Sequence, residues 1–331
     1  MKNIKKGNAG IVFLICALFV VIIAMGVFML LDKTGSTNSG GGNEVNNGEN
    51  TNISDKTNTN TNTNTNSYAN FLANAKKTRE TNTITAHSSD MIKAYSATLE
   101  KNGELYVEDE LVATDVVLFY ILWAGNAGYE YVYYITEDGS VYSTNSGLAV
   151  YENTKIESEK LDFTRIVNIV QASGTGAWYP VFIDCDGNFY IEQEKQNYVS
   201  NNANINYDTF LKNIKELRRE HKLSDYVEAL HKDYYVELKQ DGSLYVDDNL
   251  VDVNVVYFET HLVANGGYGS VFFVRDDGTV WSANCGYALD TGEEIKNTAV
   301  DAKNVVSIVQ ASTPSASYSV YIDINGNAYL K

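Results

Sequence analysis

The pentapeptide IVQAS occurs at residues 169–173 and again at residues 308–312, and this repeat decides how the rest of the chain is interpreted. The same displacement of 139 positions relates LYV at residues 105–107 to LYV at residues 244–246. Self-similarity at one fixed offset indicates an internal duplication. We place copy 1 at residues 67–192 and copy 2 at residues 206–331, joined by a polar connector at 193–205.

Tight-turn dipeptides follow the same offset. Asp-Gly or Asn-Gly followed by two residues and an aromatic occurs six times in the duplicated region, and the last three occurrences lie 139 positions after the first three. Both dipeptides are typical of β-hairpin turns, because Asn, Asp and Gly tolerate a positive φ. The six glycines predicted to form hairpin turns are Gly103, Gly139, Gly187, Gly242, Gly278 and Gly326.

Each copy is predicted to open with one helix and to continue as β structure. Apolar residues recur every three or four positions from Tyr207 to Leu217, and a weaker version starts at Tyr68. The later runs are short and rich in β-branched and aromatic residues, as in residues 234–238 and 305–309. The predicted fold class is therefore mainly β with a helix opening each half.

Two arrangements of the copies are compatible with these patterns. The favoured one is a single propeller-like body of duplicated antiparallel sheets, with six units closed by both copies. The alternative is two small α+β modules in tandem. Because the interval from Gly187 to Gly242 also holds the connector and a helix, we expect the first unit of each copy to be only a hairpin.

One stretch of copy 2 carries a family resemblance. Residues 266–292, GGYGSVFFVRDDGTVWSANCGYALDTG, and the following residues 304–331 resemble repeats of the RCC1-like (regulator of chromosome condensation) β-propeller family. Ser282 stands where that family has its first glycine. The resemblance implies blade-like antiparallel sheets packed around an axis. The residues that match the family's Trp-Gly-x-Asn-x-x-Gly-Gln-Leu-Gly-x-Gly motif are Trp281, Asn284, Leu289 and Gly292.

The amino-terminal segment predicts membrane anchoring. Residues 10–31 contain no charged side chain and, as a helix, would span about 33 Å, enough to cross a bilayer. Lys2, Lys5 and Lys6 precede this segment and predict that residues 1–9 are cytoplasmic. We read the segment as an uncleaved signal anchor, with the carboxy-terminal region extracytoplasmic. Residues 32–66 are rich in Asn and Thr and predict a disordered linker.

Charge and composition exclude one class of partner. The 331 residues carry 42 acidic and 25 basic side chains, a formal net charge of −17 that disfavours binding to a phosphate backbone. Nucleic acid is therefore not an expected partner. The roles that nuclear relatives of the RCC1-like family have in chromatin and nucleotide exchange are not expected here, because charge and topology oppose them.

Candidate chemistry is sparse. None of His87, His221, His231 and His261 has a histidine at the matching position of the other copy, although a single site formed after divergence would escape this test. We expect solvated or core histidines, no metal site and no cofactor. Cys185 and Cys285 are expected to be free thiols, with an extracellular disulfide between them as the alternative.

Acidic residues offer weaker candidates. Residues 184–188 and 323–327 resemble a calcium loop faintly, but hairpin turns explain them better. Capping or turn roles are preferred over a carboxylate site for glycoside cleavage. The matched polar pairs are Asp162 with Asp301, Asp109 with Asp248, and Gln171 with Gln310.

The leading functional hypothesis is a non-enzymatic, single-pass membrane protein whose duplicated β scaffold presents loops for binding outside the cell. One alternative is a cell-wall polysaccharide binder that uses exposed tyrosine and tryptophan, since 24 tyrosines are present. Another is an extracytoplasmic hydrolase. The sequence identifies neither the ligand nor the oligomeric state.

Overall fold

The computed structural model describes residues 67–88, 93–124, 129–174, 177–191, 205–229, 231–263, 268–313 and 316–330. The predicted anchor at residues 10–31, its flanking Lys2, Lys5 and Lys6, and the linker at 32–66 lie outside the described residues, as does nearly all of the connector at 193–205. Within the described ranges, no helix is long and apolar enough to cross a membrane.

Copy 1 is a helix followed by eleven strands with one short helix among them. Its elements are α1 (Tyr68–Thr81), β1 (Thr83–His87), β2 (Ser96–Leu99), β3 (Leu105–Val107), β4 (Glu110–Ala113), β5 (Val116–Trp123), β6 (Glu130–Thr136), β7 (Val141–Thr144), α2 (Ser146–Glu152), β8 (Ser158–Leu161), β9 (Ile166–Gly174), β10 (Ala177–Asp184) and β11 (Phe189–Ile191).

Copy 2 has the same elements in the same order. They are α3 (Tyr207–Glu220), β12 (Lys222–Val227), β13 (Tyr234–Leu238), β14 (Leu244–Val246), β15 (Asn249–Asp252), β16 (Val255–Val263), β17 (Tyr268–Arg275), β18 (Val280–Ala283), α4 (Cys285–Thr291), β19 (Asn297–Val300), β20 (Val305–Thr313), β21 (Ala316–Asp323) and β22 (Ala328–Leu330). The fold is mainly β, with a helix opening each half.

Two of the four sheets contain strands from both copies. Their orders are β22-β21-β20-β1-β2-β3-β4 and β11-β10-β9-β12-β13-β14-β15. At the first junction Thr83 lies opposite Ser312, and at the second Lys222 lies opposite Ser173. These junctions are equivalent under the 139-residue offset. The copies are therefore interleaved, and the alternative of two separate modules in tandem is wrong.

The other two sheets belong to one copy each. They are the four-stranded meanders β5-β6-β7-β8 and β16-β17-β18-β19. The first strand of each meander is the most deeply buried, since VVLFYILW in β5 is almost wholly buried. The shared sheets join two meanders each, so the described chain contains six meanders, of four, four and three strands in each copy.

The first strands of the six meanders contact one another in a cyclic order. Contacts run from β1 to β5, β5 to β9, β9 to β12, β12 to β16, β16 to β20 and back from β20 to β1. The expectation that each copy opens with a mere hairpin is wrong, because β1–β4 and β12–β15 are complete four-stranded meanders. These meanders fit into the available length of chain because β3 and β14 have only three residues each.

The opening helices use matched contacts to hold the meanders. Asn74 Nδ2 donates to the Asn325 carbonyl in the β21–β22 turn at 2.8 Å, and Asn213 Nδ2 donates to the Asp186 carbonyl in the β10–β11 turn at 2.8 Å. Each opening helix therefore contacts the last turn of the other copy. These contacts tie the carboxy-terminal hairpin to the first helix.

A buried arginine repeats in the same way. Arg79 Nη1 donates to the Val116 carbonyl at 2.8 Å, and Arg218 Nη1 donates to the Val255 carbonyl at 2.7 Å. Both arginines are almost fully buried. Each one links an opening helix to the start of a central strand, β5 or β16, because its guanidinium satisfies a backbone carbonyl away from water.

Candidate functional site

A cavity of about 110 Å³ lies among the central strands. Side chains from β1, β5, β12, β16 and β20 line it, together with Glu130 of β6. Five pairs of equivalent residues are among its lining residues, so both copies contribute the same positions to it. These pairs are Ala86 with Asp225, Ser88 with Val227, Tyr120 with Glu259, Ile121 with Thr260, and Leu122 with His261.

The two copies contribute different chemistry to the cavity. At four of these five positions copy 1 has an aliphatic or aromatic residue, and copy 2 has an acid, a hydroxyl or an imidazole. At the fifth position copy 1 has Ser88 and copy 2 has Val227. The scaffold tolerates aliphatic or aromatic residues at the other four positions, since copy 1 has the same strands. The polar groups of copy 2 are therefore not required by the fold, and burying them costs free energy.

Asp225 of β12 is held by a neighbouring strand. The Thr260 hydroxyl donates a hydrogen bond to Asp225 Oδ2. Burial raises the pKa of the Asp225 carboxyl to about 6, although the bond from Thr260 opposes this shift. Equivalent positions in copy 1 are Ala86 and Ile121, which make no such bond because neither has a polar side chain.

Glu259 of β16 is the most perturbed acid in the cavity. Burial raises its pKa well above the usual value, and the nearby Asp225 charge raises it further, while Asn168 opposes the shift. Glu259 Oε1 is buried and has no partner within hydrogen-bond geometry among the described residues, but the Asn168 side chain lies close enough to the carboxyl to lower its pKa. Asn168 is the equivalent of Ser307, whose Oγ lies 2.9 Å from the hydroxyl of Tyr120, the residue equivalent to Glu259.

His261 lies on the same strand as Glu259. Its Nδ1 is 2.8 Å from Ser319 Oγ. Burial lowers the pKa of His261 to about 3, so its imidazole is neutral at physiological pH. A neutral imidazole has one donor and one acceptor nitrogen, and it adds no positive charge to the cavity.

Gln310 of β20 completes the site. Its Oε1 accepts a hydrogen bond from the Leu262 backbone N–H at 2.8 Å, and its side chain is only 6% exposed. No residue in the described ranges accepts a hydrogen bond from its Nε2. Thr85 Oγ1 of β1 likewise has no partner among the described residues. Residues with an unsatisfied polar atom, on three different strands, thus line one cavity.

Gln171 shows how the same position is satisfied in copy 1. Its Oε1 accepts from the Trp123 backbone N–H at 2.6 Å, the equivalent of the Leu262 bond. Its Nε2 donates to the carbonyls of Trp123, Ala172 and Tyr179 at 3.1 to 3.2 Å. The unsatisfied amide is therefore particular to Gln310.

The six glycines of the repeat lie in turns between strands. All have a positive φ, between 79° and 92°. At Gly187 a Cβ would lie 2.5 Å from the Phe210 carbonyl oxygen, and at Gly326 it would clash with the Phe71 carbonyl oxygen. These two glycines allow the helix of one copy to contact the last hairpin of the other.

The residues of the family-like motif lie in β18 and around α4. Trp281 is in β18, with the Arg275 guanidinium 4.1 Å from its ring centroid. Asn284 precedes α4, Leu289 lies in it, and Gly292 ends it with a φ of 72°. None of these four residues lines the cavity.

The acidic candidates from the sequence have structural roles. Asp109, Asp162, Asp248 and Asp301 are exposed and lie between strands, away from the cavity. In the loop that resembles a calcium site, Asp184 accepts hydrogen bonds from the backbone of the turn, which leaves its carboxylate satisfied. Among the described residues no cluster of three or more His, Cys, Asp or Glu side chains is arranged to hold a metal ion.

The remaining candidates are separate from one another. Cys185 and Cys285 are buried free thiols. His221 Nδ1 is 3.0 Å from the Tyr179 hydroxyl, and exposed His231 stacks on Tyr268. Exposed His87 lines the cavity, and burial lowers its pKa. Of the four histidines, His87 and His261 are therefore the two that belong to the site.

Sequence reasoning missed Asp225 and Glu259, because an acid in a short strand resembles any solvent-facing position. The offset contains the signal that finds them, since their counterparts are Ala86 and Tyr120. A comparison with protein-family models gives no match, and neither does a comparison with curated proteins.

Proposed function

We propose that this protein is a membrane-anchored extracytoplasmic binding module without enzymatic activity, and that its central cavity holds a small ligand. The observation that carries the proposal is the presence of an unsatisfied acceptor, Glu259 Oε1, and an unsatisfied donor, Gln310 Nε2, in the same cavity. Buried polar groups in folded proteins are nearly always paired, so a ligand that completes both is favoured.

The contrast between the copies supports a binding role over a packing role. Copy 1 satisfies its glutamine internally and has no carboxyl or imidazole at the positions equivalent to Asp225, Glu259 and His261. Copy 2 keeps ionisable groups there at a cost in stability, and perturbed ionisable groups in a cavity are typical of functional sites.

The location is proposed from the sequence. The uncharged segment at residues 10–31 and the three preceding lysines favour a single-pass anchor with the β body outside the cell. Protease treatment of whole cells tests this orientation. Residues 67–331 are expected to be digested in intact cells, and protection of that region would contradict the proposed orientation.

We also propose that the six meanders are degenerate RCC1-like repeats. The contacts among the six first strands, in a closed order, support this proposal. So does the position of Trp281, Asn284, Leu289 and Gly292 on a strand and the short helix after it. An experimental structure in which the six meanders superpose on family blades with matching strand order would test it.

A fragment screen tests the binding function. The full-length chain in detergent micelles is mixed with water-soluble amines, amides, alcohols and acids of up to about six heavy atoms, and binding is followed by NMR. At least one class is expected to bind wild type and to bind Gln310→Leu more weakly. Absence of binding by every class would contradict a ligand cavity.

An exposed aromatic cluster favours the polysaccharide alternative as a second candidate. Tyr268 stacks on His231 at 4.4 Å between ring centroids and meets Tyr287 edge-on at 5.4 Å. The Tyr268 hydroxyl donates to Asp290 at 3.3 Å. Aromatic faces beside carboxylates suit sugar rings, which have apolar faces and hydroxyl rims.

A glycan array tests this second candidate. Binding that is lost in Tyr287→Ala but kept in Tyr151→Ala would support it, because Tyr151 is an exposed tyrosine of copy 1. An array that shows no binding by wild type would exclude it.

A further inference from the structure

We propose that the central cavity is selective for a short, protonated amine that also has a hydrogen-bond acceptor, such as a 2-amino alcohol. This inference rests on the proposed binding function and specifies its ligand class. It follows from the charge, the size and the unsatisfied atoms of the cavity.

The charge of the lining favours a cation. Four acids, Glu130, Asp225, Glu228 and Glu259, line the cavity, with Glu259 losing its proton when a cation binds beside it, and no lysine or arginine of the described ranges lines it. The two histidines add little positive charge at physiological pH, because burial lowers both of their pKa values. An anionic ligand would be repelled, whereas an ammonium group would be attracted.

The unsatisfied atoms favour a ligand with both a donor and an acceptor. Glu259 Oε1 accepts, and an ammonium N–H donates. Gln310 Nε2 donates, and a hydroxyl or ether oxygen accepts. Thr85 Oγ1 can do either. A ligand with an ammonium at one end and a hydroxyl at the other satisfies these groups together.

The volume sets an upper limit on the buried part of the ligand. An apolar cavity of roughly 150 Å³ holds benzene, which has six heavy atoms. A cavity of about 110 Å³ therefore accommodates about four or five. His87 and Glu228 are exposed at its edge, so the cavity opens to solvent there. A longer molecule could insert only its terminal amino-alkyl group.

Binding is expected to release a proton. Glu259 holds its proton more tightly than an exposed glutamate does, and an adjacent ammonium stabilises the carboxylate form, so the proton passes to the buffer. Titratable groups that face the same cavity from other positions also respond to the ligand. These groups are His87, Tyr120, Glu130, Asp225, Glu228 and His261.

Three probes of nearly equal size separate the ligand classes. Ethanolamine, ethylene glycol and glycolate are cationic, neutral and anionic, respectively. Isothermal titration of the full-length chain in micelles is expected to show ethanolamine binding at least tenfold tighter than ethylene glycol, with no binding of glycolate. Titration in two buffers of different ionisation enthalpy is expected to show proton release with ethanolamine only.

Variants test the assignment of the contacts. Glu259→Gln keeps the shape of the side chain and is expected to weaken ethanolamine binding at least tenfold. Gln310→Leu is expected to weaken it by a smaller factor. Asp248→Asn removes the same charge from an exposed turn outside the cavity and is expected to leave the affinity unchanged. Thermal melts of each variant verify that it is folded.

The source of the amine is resolved by one further probe. An oligo(ethylene glycol) with a terminal 2-aminoethyl group is too long to be enclosed. Binding comparable with that of ethanolamine would show that the mouth admits the end of a larger molecule, whereas much weaker binding would assign a free small amine. Either result is compatible with the amine class.

Two outcomes would overturn the inference. Ethylene glycol or glycolate binding as tightly as ethanolamine would exclude selectivity for amines and leave the binding function intact. Unchanged affinity in Glu259→Gln would show that the amine binds elsewhere. Failure of every probe here and in the fragment screen would remove the proposed binding function itself.

Discussion

Gln171 and Gln310 occupy equivalent positions and accept the same backbone hydrogen bond, but only Gln171 has described acceptors for its amide hydrogens. The two side chains are equally buried. The same position therefore holds a structural link between strands in copy 1, Gln171, and an unsatisfied donor in copy 2, Gln310. This difference is the basis of the proposed site.

The glutamines predict unequal effects on stability. Gln171→Leu removes the bonds from Nε2 as well as the bond to Trp123, while Gln310→Leu removes only the bond to Leu262. Gln171→Leu is therefore expected to lower the free energy of unfolding by about 1 to 2 kcal/mol more than Gln310→Leu. Urea unfolding of the two full-length variants measures the difference, and equal losses would contradict the structure.

Asp225 predicts a dependence of stability on pH. Its pKa is 3.8 when exposed and about 6 in the folded state, so the folded protein keeps the proton to higher pH. Stability contributed by this group is therefore lost as pH rises from 3.8 to about 6.

Asp225→Asn is expected to remove the loss of stability that accompanies ionisation of Asp225. The variant is expected to match wild type below this pH window and to exceed it by up to about 3 kcal/mol above it. Unfolding curves at several pH values measure this effect, with Asp248→Asn as an exposed control. A variant less stable than wild type at pH 7 would mean that the Asp225 charge strengthens its bond with Thr260 more than burial penalises it.

Substitution by alanine is expected to destabilise the protein to different extents at two glycines with similar backbone angles. Gly326 and Gly292 have φ values of 80° and 72°. A Cβ at Gly292 would have no atom within 4 Å. Gly292→Ala is therefore expected to lower the free energy of unfolding by about 1 to 2 kcal/mol, because alanine disfavours the left-handed backbone conformation. A Cβ at Gly326 would also clash with the Phe71 carbonyl oxygen, so Gly326→Ala is expected to lower the free energy of unfolding by about 1 to 3 kcal/mol more than Gly292→Ala. Equal melting temperatures would argue against contact between the last hairpin and α1.

Interleaving of the copies predicts a specific cross-link. Thr83 lies opposite Ser312 in antiparallel strands, where paired cysteines can form a disulfide. Thr83→Cys with Ser312→Cys is expected to cross-link on oxidation. Thr83→Cys with Ser173→Cys is the matched control, because two independent modules would pair those positions instead. Mobility on non-reducing gels distinguishes the two results.

Much of the fold follows from the sequence alone. The 139-residue offset predicts the duplication, and the apolar spacing in residues 207–217 predicts α3. Asp-Gly and Asn-Gly predict turns that the structure places between strands. These features are local, or they repeat in register, so a single sequence reveals them.

The rest depends on contacts between distant residues. Helices α2 and α4 have seven residues each, too few to show a clear helical period. The pairing of β1 with β20 joins the two ends of the body, and nothing in either strand specifies its partner. Asp225 and Glu259 each resemble ordinary strand residues until the fold brings them to one cavity.

The most direct test of the central claim compares the two glutamines in one molecule. Side-chain amide signals of Gln171 and Gln310, assigned with the two leucine variants, are followed by ¹H–¹⁵N NMR while ethanolamine is added to the full-length chain in micelles. The Gln310 signals are expected to shift with a saturating dose dependence, and those of Gln171 are expected to stay in place. Shifts of equal size at both residues, or none at either, would contradict a ligand site specific to the second copy.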